Sequence, residues 1–166
     1  MPEIISSDDN EVTYRKRSVR SVRFFVTTMA VDAMTEAADA DLLDDRETMG
    51  LVIGKVYKDE EGEYAIAERT VTSKLNADAV SVRFDQDSME ELIDAVDEMK
   101  PGERIVAWYH SHLGYGCFMS ETDVNTQHSI FGNGIGFAIV VDPVLGEFAV
   151  FDNSEMPQKI QAIMME

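Results

Sequence analysis

The chain has a single cysteine, Cys117, among 166 residues. No disulfide can form within it, and a reducing cytoplasm is the expected setting. Basic residues are also scarce. Fourteen Lys and Arg stand against 32 Asp and Glu, for a net charge of −18. Five of the basic residues, Arg15, Lys16, Arg17, Arg20 and Arg23, lie before residue 30 beside four acids, so residues 31–166 hold 9 basic and 28 acidic residues and a net −19. A field of that sign repels DNA and RNA, and no nucleic-acid partner is expected. It suits a basic partner or substrate, but plain solubility or a salty cytoplasm accounts for it equally. No apolar run is long enough to span a membrane, and the polar, acidic N-terminus lacks a signal-peptide pattern, so no membrane partner is expected. The length suits one core and not two.

Histidine is scarce as well, with three in the chain. Two of them fall within three residues, in His110-Ser-His112-Leu-Gly-Tyr-Gly-Cys-Phe-Met-Ser120-Glu-Thr-Asp123. Two imidazoles and a carboxylate are a common set for a catalytic zinc, which takes three protein ligands and keeps a fourth position for water. Residues 104–110 are β-branched and aromatic and read as a strand. Positions i and i+2 of a strand face the same way, so His110 and His112 converge if the strand lasts that far. Gly114 and Gly116 allow a tight loop. Ser120 reads as the N-cap of a helix over 121–131, with Asp123 in its first turn, where it can turn back toward the strand end. Each half of the pattern alone is ordinary: a surface histidine pair and a capping box. His128, on the predicted helix, reads as a packing or surface residue, and Cys117 as packing rather than a nucleophile.

Such a zinc site needs a general base for its water. With 32 acids, composition cannot choose one. Glu47 stands where an acidic loop meets Met49-Gly50-Leu-Val-Ile-Gly54-Lys-Val-Tyr57, a buried-strand pattern. By pattern it is either the end of that loop or an acid at the mouth of the strand.

Taken together, Glu47-x-x-Gly50-x-x-x-Gly54, Trp108-Tyr-His-Ser-His112 and Ser120-x-x-Asp123 resemble the JAMM motif of MPN-domain metalloproteases. The stretches Gly114–Cys117 and Asn125-Thr126-Gln127 extend the likeness. It is similar in particular to the deubiquitinating subunit of the proteasome lid and the isopeptidase subunit of the signalosome, from about Phe24 to Phe151. The resemblance implies an α/β MPN (JAMM) fold, a mixed central sheet flanked by helices. It implies zinc (Zn2+) held by His110, His112 and Asp123, Glu47 as general acid and base, and Ser120 as a donor to the oxyanion. The implied activity is removal of ubiquitin or a ubiquitin-like modifier from target lysines, with a proteasome link among the partners. The modifier's tail would add as a strand to a sheet edge, with residues 75–85 at the position of the family's substrate-contacting insertion. Leu113 stands where the family usually has proline and so does not fix the loop's φ; Phe118 stands where tryptophan is frequent. Family members that are inactive scaffolds usually lack one of the five residues present here. Two alternatives stay open: a JAMM hydrolase that processes a sulfur-carrier or ubiquitin-like fusion or a small peptide, and a non-catalytic MPN scaffold.

Along the chain, residues 1–17 are expected to be a flexible segment, 18–153 the catalytic domain and 154–166 a short tail, helical or frayed. Strands are expected over 19–27, 48–57, 63–73, 104–110, 134–141 and 147–151, and helices over 29–43 and 121–131. An amphipathic helix over 87–100 places Met89, Leu92, Ile93, Val96 and Met99 on one face. Met156, Met164 and Met165 suggest an adaptable contact surface. The shortness of the chain after Asp142-Pro143 suggests a free-standing enzyme or small oligomer; its oligomeric state is left open.

Overall fold

In the computed structural model, residues 3–4, 22–72, 94 and 97–166 are described. Strand β1 (Glu3–Ile4) is followed by β2 (Arg23–Thr27), helix α1 (Thr28–Leu42), β3 (Met49–Asp59) and β4 (Gly62–Thr72). Then come β5 (Arg104–Ser111), helix α2 (Glu121–Phe131), β6 (Phe137–Asp142), β7 (Glu147–Phe151), β8 (Lys159–Ile160) and β9 (Ile163–Met165). The strands form one mixed sheet in the order β8-β7-β6-β5-β3-β4-β2-β9, with β1 against the outer end of β3. Most of the predicted 87–100 helix and all of 75–85 lie outside the described residues. No helix among the described residues is long and apolar enough to cross a membrane.

The burial of β3 explains its composition. Its first six residues are all buried, because a helix covers each face of the sheet there. Helix α1 offers Ala30, Met34 and Ala38 at a spacing of four to one face, where they meet Phe24, Val52, Val56 and Tyr109. Thr27 caps this helix, its hydroxyl accepting from the Ala30 N–H at 3.1 Å. On the other face Leu51, Trp108, Ala138 and Val140 pack under Ile130 and Phe131 of α2. Between β5 and the parallel β6, α2 is the crossover that a parallel pair requires. The α/β class read from the sequence, a mixed sheet with helices against it, is the fold observed.

The tail differs from expectation. It is neither helical nor frayed: β8 pairs antiparallel with β7, and β9 pairs parallel with β2 at the far edge of the sheet. Ile163 and Met164 remain half exposed on that edge strand.

Gly54 sits where the β3–β4 register shifts. A Cβ there would stand 1.8 Å from the Ile66 carbonyl oxygen and 2.8 Å from its carbon, both main-chain atoms of the paired strand. Neither can rotate away, so Gly54→Ala has to push β3 and β4 apart. Overpacking of this kind costs at least about 1–3 kcal/mol. A Tm lowered by at least roughly 2–4 °C is expected, at about 2–4 °C per kcal/mol for a domain this size. An unchanged Tm in a thermal melt would contradict the close approach of β3 and β4.

Candidate metal centre

The strand geometry of β5 persists through the second histidine. Ser111 pairs with Val141, and the His112 N–H donates to the Val141 carbonyl at 2.8 Å. His110 and His112 therefore share a face, and both are buried, at 0% and 3% exposure. His110 stacks on Trp108, two residues back on the same face, with ring centroids 4.5 Å apart.

Asp123 reaches them from α2. Ser120 and Asp123 form a reciprocal capping box: the Asp123 N–H donates to Ser120 Oγ at 3.1 Å, and the Ser120 N–H donates to Asp123 Oδ2 at 2.9 Å. One turn later Gln127 lies on the same helix face. It is fully buried, accepts from Trp108 Nε1 at 2.8 Å and donates to the Asp152 carbonyl at 2.7 Å. These two bonds dock α2 on the sheet and so set where Asp123 stands. Asp123 Oδ2 comes within 3.0 Å of His110 Nε2 and 3.5 Å of His112 Nε2.

The chemistry of this donor set fits a metal. One ligand atom from each of the three residues lies within 4.8 Å of the others. Donors about 2.0–2.1 Å from a tetrahedral zinc stand about 3.4 Å from one another, close to the two separations seen here. Although His110 Nε2 is 3.0 Å from a carboxylate oxygen, the pair is not aligned as a hydrogen bond, and neither ring nitrogen of His110 has a hydrogen-bond partner among the described residues. A fully buried imidazole nitrogen without a partner is costly, and a cation in front of Nε2, the nitrogen that faces the cluster, removes that nitrogen's share of the cost. His112 Nδ1–H donates to the Gly116 carbonyl at 2.6 Å, which leaves the Nε2 lone pair facing the cluster. Burial holds the pKa of His110 below its ordinary value, against the pull of the Asp123 carboxylate beside it. Burial opposes the ionisation of Asp123, but the two imidazoles and the Ser120 N–H outweigh it and hold the carboxyl far below the usual range. For His112 burial also opposes the charged form, yet Asp123 and the Gly116 carbonyl leave its pKa raised.

Glu47 joins the cluster from the segment just before β3. Thr48, the next residue, is clasped by Ser111, which sits between the two histidines. The Thr48 N–H donates to Ser111 Oγ at 2.7 Å, and the Ser111 N–H donates to the Thr48 carbonyl at 2.9 Å. Glu47 is 4% exposed, and burial raises its pKa to about 7 against the lowering influence of the Tyr115 hydroxyl and His112. Tyr115 donates to Glu47 Oε2 while its ring stacks on His112 at 4.6 Å. Of the two readings of Glu47, the acid at the strand mouth is the one observed.

Thus the structure brings His110, His112, Asp123 and Glu47 together, with Ser120 half-buried beside them. His128 stays apart, its ring 3.4 Å from the Ser154 carbonyl. Cys117 is half-buried against the Val140 carbonyl, and burial pushes its thiol up to about 11, which makes it a poor nucleophile. Three contributors are not evident from the sequence: Ser111, Tyr115 and Gln127. A hydroxyl between two histidines and an amide four residues after Asp123 are the available signals for Ser111 and Gln127. Tyr115 reaches Glu47 across 68 residues of sequence, and no local pattern announces that.

Comparison with known proteins agrees with this geometry. The family model described as JAB1/Mov34/MPN/PAD-1 ubiquitin protease matches residues 14–131. The chain is 35% identical over 101 residues to ubiquitin carboxyl-terminal hydrolase RPN11 of Saccharomyces cerevisiae, covering 59% of this chain and 32% of that protein. It is 37% identical over 102 residues to COP9 signalosome complex subunit 5 of Drosophila melanogaster, covering 59% of this chain and 30% of that protein. The match thus spans about a third of these curated relatives. A solution structure from Desulfitobacterium hafniense shares the fold with a TM-score of 0.63 at 18% identity, covering 86% of this chain and 93% of that one. The crystal structure of a JAB1/MPN domain protein from Archaeoglobus fulgidus does so with a TM-score of 0.52 at 14% identity, covering 85% and 98%. With the motif residues gathered at one point of that fold and the family model matching through Asp123, the chain belongs to the JAB1/Mov34/MPN/PAD-1 family.

Proposed function

We propose that this protein is a zinc-dependent isopeptidase that removes ubiquitin or a ubiquitin-like modifier from target lysines. The observation that carries the reading is the buried convergence of His110, His112 and Asp123, with Glu47 beside them. His110, His112 and Asp123 hold the metal, and zinc so bound acidifies water and polarises a carbonyl oxygen. Glu47 takes the proton of the attacking water and gives it to the departing lysine amine, a task for which a carboxyl pKa near neutrality is suited. Its burial keeps competing water from this proton. The Ser120 hydroxyl donates a hydrogen bond to the developing oxyanion; as a cap the same oxygen only accepts, so the two roles do not conflict. Two curated relatives are named as a ubiquitin hydrolase and a signalosome subunit, which supports a modifier-conjugate substrate and a partner in a ubiquitin-pathway complex.

The test is incubation of the purified full chain with a panel of isopeptide-linked and linear ubiquitin-like conjugates, with zinc and with chelator. Release from isopeptide conjugates that stops on chelation and returns with zinc is expected. Cleavage of linear fusions alone would replace the isopeptidase reading with that of a fusion-processing hydrolase. No zinc-dependent cleavage of any substrate would leave the scaffold reading.

Ser120→Ala separates the two uses of that hydroxyl. Loss of the cap costs about 0.5–2 kcal/mol. Loss of an oxyanion donor lowers kcat by about 10²-fold or more. Both effects are expected, read as Tm and kcat on one preparation. A lowered Tm with unchanged kcat reduces Ser120 to a cap.

A further inference from the structure

Asp142 has no role in that chemistry, yet it is fully buried at the end of β6. A carboxylate in that position is costly unless hydrogen bonds replace its water. Four main-chain N–H groups do so. Oδ1 accepts from Gly114 at 3.0 Å and from Val144 and Leu145 at 3.1 Å each. Oδ2 accepts from Gly116 at 2.8 Å, with a second contact to Gly114 at 3.1 Å. Val144 and Leu145 belong to the turn that follows Asp142. Gly114 and Gly116 belong to the loop after His112, 28 and 26 residues away in sequence. Both glycines have φ near +95°, at 96° and 94°, a conformation side chains disfavour.

Gly116 is the link to the metal centre. Its N–H is held by Asp142, and its carbonyl accepts from His112 Nδ1. That second bond keeps the proton on Nδ1 and presents Nε2 to the cluster. Leu113, at the start of the loop, does not fix its φ as a proline would. The loop's hold on His112 therefore depends on its anchor.

We propose that Asp142 is a positioning residue: it pins the Gly114–Gly116 loop and, through the Gly116 carbonyl, fixes the tautomer and orientation of His112. This rests on the metal-centre reading above. Asp142→Asn tests it, because the two carboxylate oxygens have unequal duties. Three N–H groups point at Oδ1, so the asparagine oxygen stays there. Its NH2 group then faces the Gly116 N–H, donor against donor, so the Gly116 end of the loop is released while Gly114 and the turn are kept.

The experiment uses the full chain, labelled with nitrogen-15, and zinc as the probe. At a pH above the titration of the ring, wild type is expected to show His112 as the single Nδ1–H tautomer, with or without zinc, and slow exchange of the Gly116 amide despite its place in a loop. Asp142→Asn is expected to mix the His112 tautomers and weaken zinc binding by about 10–100-fold in chelator competition, the usual range for a residue that orients a metal ligand. Its metal-free Tm should fall little. A zinc affinity within twofold of wild type with the same His112 tautomer overturns the proposal. So does a lowered Tm with the tautomer unchanged, which is what a purely structural acid gives. If the variant does not fold, the wild-type Gly116 amide decides: fast exchange overturns the anchor. The tautomer and exchange readings are made without metal, so they stand apart from any failure of the zinc reading itself.

Discussion

Glu47→Gln is expected to retain its zinc and to lose at least about 10²-fold in kcat, the lower end of what a positioned general base contributes. The amide has the carboxylate's shape and can still accept from the Tyr115 hydroxyl, so the cluster keeps its form. It cannot take a proton. Burial is what suits Glu47 to the task, lifting its pKa from 4.5 to about 7. The same shift has a sign for stability. A carboxyl raised in the folded state favours folding when protonated. That contribution is complete below its unfolded pKa near 4.5 and is lost as pH rises through about 7. In the metal-free protein at pH 8 the buried charge is therefore a burden that glutamine removes. The metal-free variant should melt at or above the wild-type temperature. Undiminished stability with a collapsed kcat is the mark of a residue kept for chemistry. A kcat within a few-fold of wild type would assign the base to another carboxylate.

What can be read from the sequence is what is local. His110 and His112 sit two apart on a strand, and Ser120 and Asp123 three apart at a helix start. In each case short-range geometry fixes where the side chains point, and the structure places them so. The helix over 121–131 has the boundaries expected, because its cap is written in the sequence. Glu47 is different. Its approach depends on the antiparallel register of β3 and β5, with Met49 opposite His110, a contact across about 60 residues that no spacing encodes. Only the family resemblance points to it. Asp142 is hidden among 32 acids, and nothing nearby marks it as the one that accepts four main-chain N–H groups. The tail departs from expectation for a related reason. Its strands have two and three residues, too few to show a period of two, and their conformation comes from pairing with β7 and β2. Its Met, Gln and Ala residues suit a helix as well, so tertiary contact decides.

The other large effect concerns the metal itself. Purified wild type is expected to carry about one zinc per chain, as a three-ligand catalytic site does. The His110→Ala/His112→Ala double variant should carry almost none. Asp123 would remain, but a single carboxylate does not retain zinc against a chelator. The structure also ties the metal to stability. In the metal-free protein His110 is fully buried, with both ring nitrogens unpartnered among the described residues, a penalty of about 1–3 kcal/mol for such a group. Zinc on Nε2 removes that nitrogen's share and, by mass action, favours the folded state by about 2.7 kcal/mol at a hundred times its Kd. For a domain of this size that raises Tm by roughly 5–10 °C. Chelator should lower the wild-type Tm by that amount and leave the double variant unmoved. The double variant gives up two imidazoles, His110 packed on Trp108 and His112 against His110, so its own Tm, compared with metal-free wild type, reports lost packing separately from lost metal. Elemental analysis decides the assignment: equal zinc in wild type and double variant means the ion sits elsewhere, and neither Glu47 nor Ser120 then has a metal beside which to act.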